Sequence, residues 1–296
     1  MNMIFKIAKT ELQTLFYSPV AWLILIVFTF QASILFTGTF GMSVRSQALE
    51  YEVGNLTLFT FGGDYGLFTH IQQYLYLYIP LLTMGLMSRE LSSGSIKLLY
   101  SSPVTNKEIV LGKYFAMLVY GLVLIGILAI YVLYSACTIK AFDFTVALSG
   151  LLGLYLLICA YASIGLFMSS LTSYQVVSAM GTLAILAALS LVRGMWQDIE
   201  FVRDITYWLS INGRADEFVN GLICSEDILY FLIVIALFLT LTILRLQVIR
   251  QKTSWTIAWG RYIGVFLIAI VLGSAACFVL AHFIRAPKPR WYVRAA

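Results

Sequence analysis

The sequence predicts an all-α, polytopic membrane protein: six core transmembrane helices, a seventh after them, and an amphipathic interfacial helix at the N-terminus. Three observations predict this class. Of 296 residues, 61% are hydrophobic and only 11% are charged, whereas soluble domains run near ~45–50% apolar and ~25% charged. The mean hydropathy is +0.91. Seven stretches reach or approach the about 20 apolar residues that a bilayer crossing requires. A soluble enzyme, a disordered chain, a collagen-like chain and a disulfide-stapled secreted domain are all excluded. Of the four cysteines, Cys137, Cys159 and Cys277 lie in apolar runs and read as packing residues, while Cys224 stands alone in a polar stretch.

In chain order, residues 3–17 come first. Ile4, Ile7, Ala8, Leu12, Leu15 and Phe16 recur at helical spacing, with Lys6, Lys9 and Gln13 on the other face. That pattern predicts a helix lying on the inner leaflet. Ser18-Pro19 ends it, because proline disfavours the helical conformation of the residue before it. Spans are expected at 20–41, 70–88, 114–137, 146–171, 176–192, 228–246 and 262–283. The fourth and fifth are parted only by a turn at 172–175. The first apolar run starts late, is full length and has no small-residue cleavage site after it, so no cleavable signal peptide is expected.

Orientation follows from the basic residues near the span ends. With the N-terminus in the cytoplasm, the inside carries Lys6, Lys9, Arg89, Lys97, Lys107, Lys113, Arg245, Arg250, Lys252 and Arg261. The outside carries Arg45, Lys140, Arg193, Arg203 and Arg214, together with most of the acidic residues. The balance predicts an N-in protein of the inner (plasma) membrane. Arg285, Lys288, Arg290 and Arg294 of the tail run against it. Ionisable groups are absent from the middle of every predicted span, which argues against self-powered proton or ion coupling. Tyr74, Tyr76 and Tyr78 mark a membrane interface or line a path. Gly121, Gly126, Gly150, Gly153 and Gly165 permit close helix packing. The outer region 193–227, with Trp196 and Trp208, reads as a pair of short re-entrant or interfacial helices.

The loop after the second span carries the densest set of motifs. Residues 88–113 read SRELSSGSIKLLYSSPVTNKEIVLGK. Gly94-Ser95 breaks the chain, and Ser95 is placed to cap a short helix. Ile96, Leu98 and Leu99 form an apolar ridge, and Pro103 stops it. Thr105 begins another helix, with Glu108 at the capping-box position. A short helix held between two spans is suited to docking a cytoplasmic partner.

Arg89-Glu90, Gly94-Ser95, Leu98-Leu99, Pro103 and Gly112-Lys113 together resemble the signature of permease subunits of ABC-2 type ATP-binding-cassette transporters. Glu11-Leu12, Phe16 and Ser18-Pro19-Val20 are similar to that family's N-terminal helix and first-span entry. Leu209-Ser210, Phe218, Gly221, Asp227 and Tyr230-Phe231-Leu232 are similar to its segment before the sixth span. The nearest subgroup is the gliding-motility (Gld-type) and copper-processing (Nos-type) permeases. The resemblance covers roughly residues 1–250, leaving 251–296 as an extra transmembrane helix and a short basic tail. The family often carries a His where this chain reads INGRADE over 211–217, so no His-based role is expected.

The resemblance implies an export permease that hydrolyses no ATP. A cytoplasmic ABC ATPase would bind the ATP, and a second permease copy, identical or related, would complete the assembly in the lipid bilayer. The sequence agrees in lacking a Gly-x4-Gly-Lys-Ser/Thr phosphate loop. The residues implied in coupling to the ATPase are Glu11, Glu90, Gly94, Ser95, Leu98, Leu99, Pro103 and Lys113, with Glu90 foremost and Lys113 a candidate partner for it. No cofactor, catalytic residue or metal site is expected in this chain. His70 and His282 make no His-Glu-x-x-His site, and no Gly-x-Ser-x-Gly turn is present. The rival reading is a secondary transporter or channel without an ATPase, which the absence of an inverted repeat discourages. Nucleic-acid binding has no support.

Overall fold

The computed structural model describes residues 3–48, 55–63, 65–96, 103–139, 142–191 and 211–251, with 260, 262–264 and 267. Among these residues the regular structure is all helical. α1 (Met3–Tyr17) is followed by a bend at Ser18 and then α2 (Pro19–Ala48). α3 (Leu56–Phe61) is short, and α4 (Leu67–Thr83) and α5 (Ser88–Ser93) follow. Then come α6 (Asn106–Thr138), α7 (Phe144–Leu171), α8 (Gln175–Leu191), α9 (Ile211–Val219) and α10 (Ser225–Gln251).

Four of these helices, α2, α6, α7 and α10, are long and apolar enough to cross a membrane. α4 and α8 match the expected second and fifth spans in position but have only 17 residues each, about 25 Å at 1.5 Å per residue. The expected span at 70–88 is divided. Its helix begins at Leu67 and closes at Thr83, and a turn over 84–87 leads into α5. The expected seventh span, apart from residues 262–264 and 267, and the Trp196 and Trp208 region lie outside the described residues.

α6 begins eight residues before the predicted third span. Its start is fixed by a capping box: Thr105 Oγ1 accepts from the Glu108 amide at 3.3 Å, and Glu108 accepts from the Thr105 amide at 2.9 Å. The expected helix start at Thr105 and the third span are thus one continuous helix, and Lys113 sits two turns inside it.

α7 is the hub. It packs against α3, α4, α5, α6, α8, α9 and α10, and small residues let them approach. A Cβ at Gly150 would meet the Phe68 ring at 2.4 Å, one at Gly153 would meet Phe218 at 2.3 Å, and one at Gly165 would meet Thr83 Oγ1 at 2.1 Å. α4 and α7 therefore run in the same direction. α2 and α6 run together the opposite way, joined by Tyr120 donating to the Ala21 carbonyl at 2.7 Å and by Ser33 and Tyr131 at 2.7 Å. On α6, Gly121 is a packing glycine against Ile158, but Gly126 faces open space. The expectation that Gly126 mediates packing is corrected, since position 126 falls on the outward side of the helix.

The three tyrosines of α4 do not form a line. At about 100° per residue, Tyr74 and Tyr78 share a face and Tyr76 points away from it. Tyr78 hydrogen-bonds Gln31 of α2. The outer faces of the bundle expose Trp22, Leu23, Ile26, Phe30 and Ile34 of α2 and Val176, Val177 and Met180 of α8. This is the apolar exterior that a lipid environment accepts.

Overpacking a close helix contact costs about 1–3 kcal/mol. Gly153→Val is expected to lower the melting temperature of the detergent-purified protein clearly, whereas Gly126→Val leaves it near wild type. Thermal unfolding followed by size-exclusion fluorescence reads the difference.

Candidate functional site

The helix packing brings three of the motif residues into one buried ion cluster. Lys113 Nζ on α6 lies 2.5 Å from Glu11 Oε1 on α1 and 2.7 Å from Glu90 Oε1 on α5. Arg89 adds a longer contact, 3.7 Å, to Glu11 Oε2. The lysine side chain is 1% exposed, the two carboxylates 11% and 18%, and Arg89 45%. An isolated buried ammonium is prohibitively expensive. Two carboxylates and two cations make the cluster neutral overall, and Lys113 spends two of its three donors on it.

Local sequence explains each position. Gly112 lets α1 lie directly on α6, because a Cβ there would meet Ile7 Cγ2 at 2.7 Å and the Ile4 carbonyl at 3.1 Å. One residue on, Lys113 meets Glu11, which is the buried residue of α1, while Lys6, Lys9 and Gln13 stay exposed. The predicted polar face is thus outward. Glu11 extends the protein-facing stripe, and that stripe rests on α6.

Glu90 is held by the turn before it. Ser169 Oγ on α7 accepts from the amides of Met87 and Ser88, both at 3.0 Å, and donates to the Met84 carbonyl at 3.0 Å. This clasp fixes α5 against the end of α7. α5 then ends at Gly94, whose φ of 72° is the left-handed C-cap geometry that glycine adopts without strain. Ser95 bonds Ser93, with 2.9 Å between their hydroxyls. Pro103 is exposed, just ahead of the α6 capping box. Leu98 and Leu99 lie outside the described residues.

A second polar cluster sits at the opposite end of the bundle and has no counterpart among the expected site residues. Gln72 Nε2 on α4 donates to the Asn212 carbonyl at 3.0 Å and to Asp216 Oδ1 at 2.8 Å. Tyr161 on α7 donates to Asn212 Oδ1 at 2.6 Å. Arg214 donates to Asp227 Oδ1 at 2.7 Å, both groups buried, and its guanidinium lies 5.6 Å from the Tyr230 ring centroid. α9 closes with the Leu222 amide on the Glu217 carbonyl and the Gly221 amide on the Phe218 carbonyl. This is a Schellman turn, and Gly221 has φ 90°. The turn folds Cys224 back over Glu217. Burial and the Glu217 carboxylate push the Cys224 thiol up to about 11.

A bundle with four helices of spanning length, apolar on the outside and, among the described residues, carrying its charge at its two ends, defines a multi-pass membrane protein. The chain belongs to the family described as ABC-2 family transporter protein, whose model matches residues 5–201, about two thirds of the sequence. It is thus the membrane component of an ABC transport system. The match includes the whole Glu11–Glu90–Lys113 cluster and ends before α9. No curated protein matches the chain.

Removing one partner of a buried ion pair costs about 3–5 kcal/mol, whereas replacing the whole set is near neutral. Lys113→Met is therefore expected to lower the melting temperature sharply. The triple change Glu11→Gln, Glu90→Gln, Lys113→Met should recover most of the loss, and equal losses in both proteins would refute the pairing. At the other end, Cys224 should alkylate roughly 10–30-fold more slowly at pH 8 than an ordinary cysteine, its higher nucleophilicity offsetting part of the lost thiolate. Glu217→Gln should speed the reaction, as read by maleimide labelling and mass spectrometry.

Proposed function

We propose that this chain is the export permease of a transporter powered by a separate cytoplasmic ATPase, with its N-terminus in the cytoplasm. The ATPase docks on the end formed by α1, α5 and the segment from Gly94 to the α6 capping box. The observation that carries this reading is the buried lysine shared by Glu11 and Glu90. It ties two surface elements, α1 and α5, to the base of the long helix α6. A push on either element is thereby delivered to a helix that reaches the far side of the bundle. Glu90 is the transmitting residue, Gly94 supplies the turn that ends α5, and Ser95, Leu98, Leu99 and Pro103 are the residues proposed to meet the ATPase.

The charge layout supports the orientation, since Lys6, Lys9, Arg89 and Lys107 all fall at the α1 end, where basic residues favour the cytoplasm. The family's normal partnership with an ATPase supports the docking role. The ATPase binds the ATP, this chain needs no cofactor, and a second permease copy completes the translocation unit. Of the subgroups that the motifs resemble, the Gld-type and Nos-type permeases fit best, and that reading implies the inner membrane.

The test is co-purification with a P-loop ATPase in mild detergent, followed by ATP turnover. Glu90→Ala is expected to cut permease-dependent turnover, measured per complex recovered, by roughly 5–150-fold, the span of a 1–3 kcal/mol coupling free energy. Unaltered turnover at normal yield would overturn Glu90 as the transmitter. Failure of any cassette ATPase to bind would overturn the partnership itself.

A further inference from the structure

We propose that Glu217, Cys224 and Asp227 form a divalent-metal site of zinc type at the α9–α10 junction. It lies at the end of the bundle opposite Lys113, and its argument does not depend on the ATPase reading. One ligand atom from each of the three side chains lies within 4.8 Å of the other two. Ligands around a four-coordinate zinc sit about 3.3–3.8 Å apart, given bonds of about 2.0–2.3 Å. The ligand atoms need to close by about 1 Å.

A second observation points to a ligand. Asp227 is completely buried, and its two oxygens are treated differently. Oδ1 accepts from Arg214, whereas Oδ2 is buried with no hydrogen-bond partner. A buried carboxylate oxygen left unpaired is costly, and a cation between it, Glu217 and the thiol removes that cost. The charges agree. Arg214 offsets one carboxylate of the Glu217 and Asp227 pair, and Asp216 is engaged by Gln72. With the thiolate, Glu217 and Asp227 make three negative charges, which Arg214 and a divalent ion balance.

The donor set selects the metal. One sulfur and two carboxylates suit borderline zinc, whereas calcium and magnesium demand oxygen shells of six or more. Three protein ligands leave one position for water. Arg214 on Asp227 Oδ1 is the outer-shell donor that orients a ligating carboxylate. Zinc binds the thiolate, so uptake releases the thiol proton. The Gly221 turn sets the spacing that brings Cys224 and the start of α10 over Glu217. A bound ion would tie α9, held otherwise by Gln72 and Tyr161, to the start of α10.

The experiment titrates the full chain in detergent with Zn2+ against a chromogenic chelator, with Mg2+ as competitor and Co2+ as spectroscopic probe. The expected result is one zinc per chain, undisturbed by Mg2+, with a thiolate-to-cobalt charge-transfer band and protection of Cys224 from maleimide. Cys224→Ser should abolish the band, and Cys224→Ser and Glu217→Gln should each weaken zinc by at least about tenfold. Cys224→Ser replaces a single half-buried atom, so it reads the site even if Asp227→Asn, which strands Arg214, fails to fold. Substoichiometric uptake, or stoichiometric uptake that neither Cys224→Ser nor Glu217→Gln weakens, would overturn the proposal.

Discussion

The buried ammonium of Lys113 is the constraint around which one whole end of the molecule is arranged. A charge at 1% exposure survives only with partners, and its partners come from 102 and 23 residues earlier in the chain. Meeting both requires α1 to lie along α6, which Gly112 allows. It also requires α5 to fold back beneath α7, which the Ser169 clasp enforces. Helices that would otherwise be separate surface pieces are thereby locked to the base of a membrane helix. Apolar packing alone would hold them less specifically, because an apolar stripe tolerates sliding and an ion cluster does not.

The body of the bundle obeys a different rule. In lipid, apolar exteriors gain nothing by association, so close packing and small residues supply the attachment. α7 concentrates that role, receiving Phe68, Phe218 and Thr83 at Gly150, Gly153 and Gly165. Polar side chains in this region turn inward onto carbonyls and hydroxyls, as Tyr120 does on Ala21 and Ser33 on Tyr131. The two ends carry the charge and the middle carries the fit.

The two charged ends are built differently. At the α1 end a lysine is shared by carboxylates on separate elements. At the other, α9 is pinned from three sides by Gln72, Tyr161 and Asp227, and the turn after it gathers a thiol and two carboxylates. The first arrangement ties three helices together. The second holds one short helix in place, and the family match stops before reaching it.

The sequence by itself determined the class of protein. Composition and the length of the apolar runs require helices in a bilayer, because unpaired backbone groups are not tolerated there. Local chemistry also settled the cap at Thr105 and Glu108, the break at Ser18-Pro19 and the break at Gly94, since each depends on neighbours within a few residues. The motif residues Glu11, Glu90 and Lys113 were legible as a set by resemblance. That they meet at one point was decided only by the tertiary structure, because an ion cluster joining positions 11, 90 and 113 needs the relative placement of three helices. The clasp of Ser169, the outward aim of Gly126 and the inward aim of Glu11 were likewise hidden, being properties of which side of a helix faces a neighbour. The Glu217, Cys224 and Asp227 group escaped the sequence reading for the same reason. A seven-residue step followed by a three-residue step across a turn matches no metal-binding spacing, and only the Gly221 turn brings the three together.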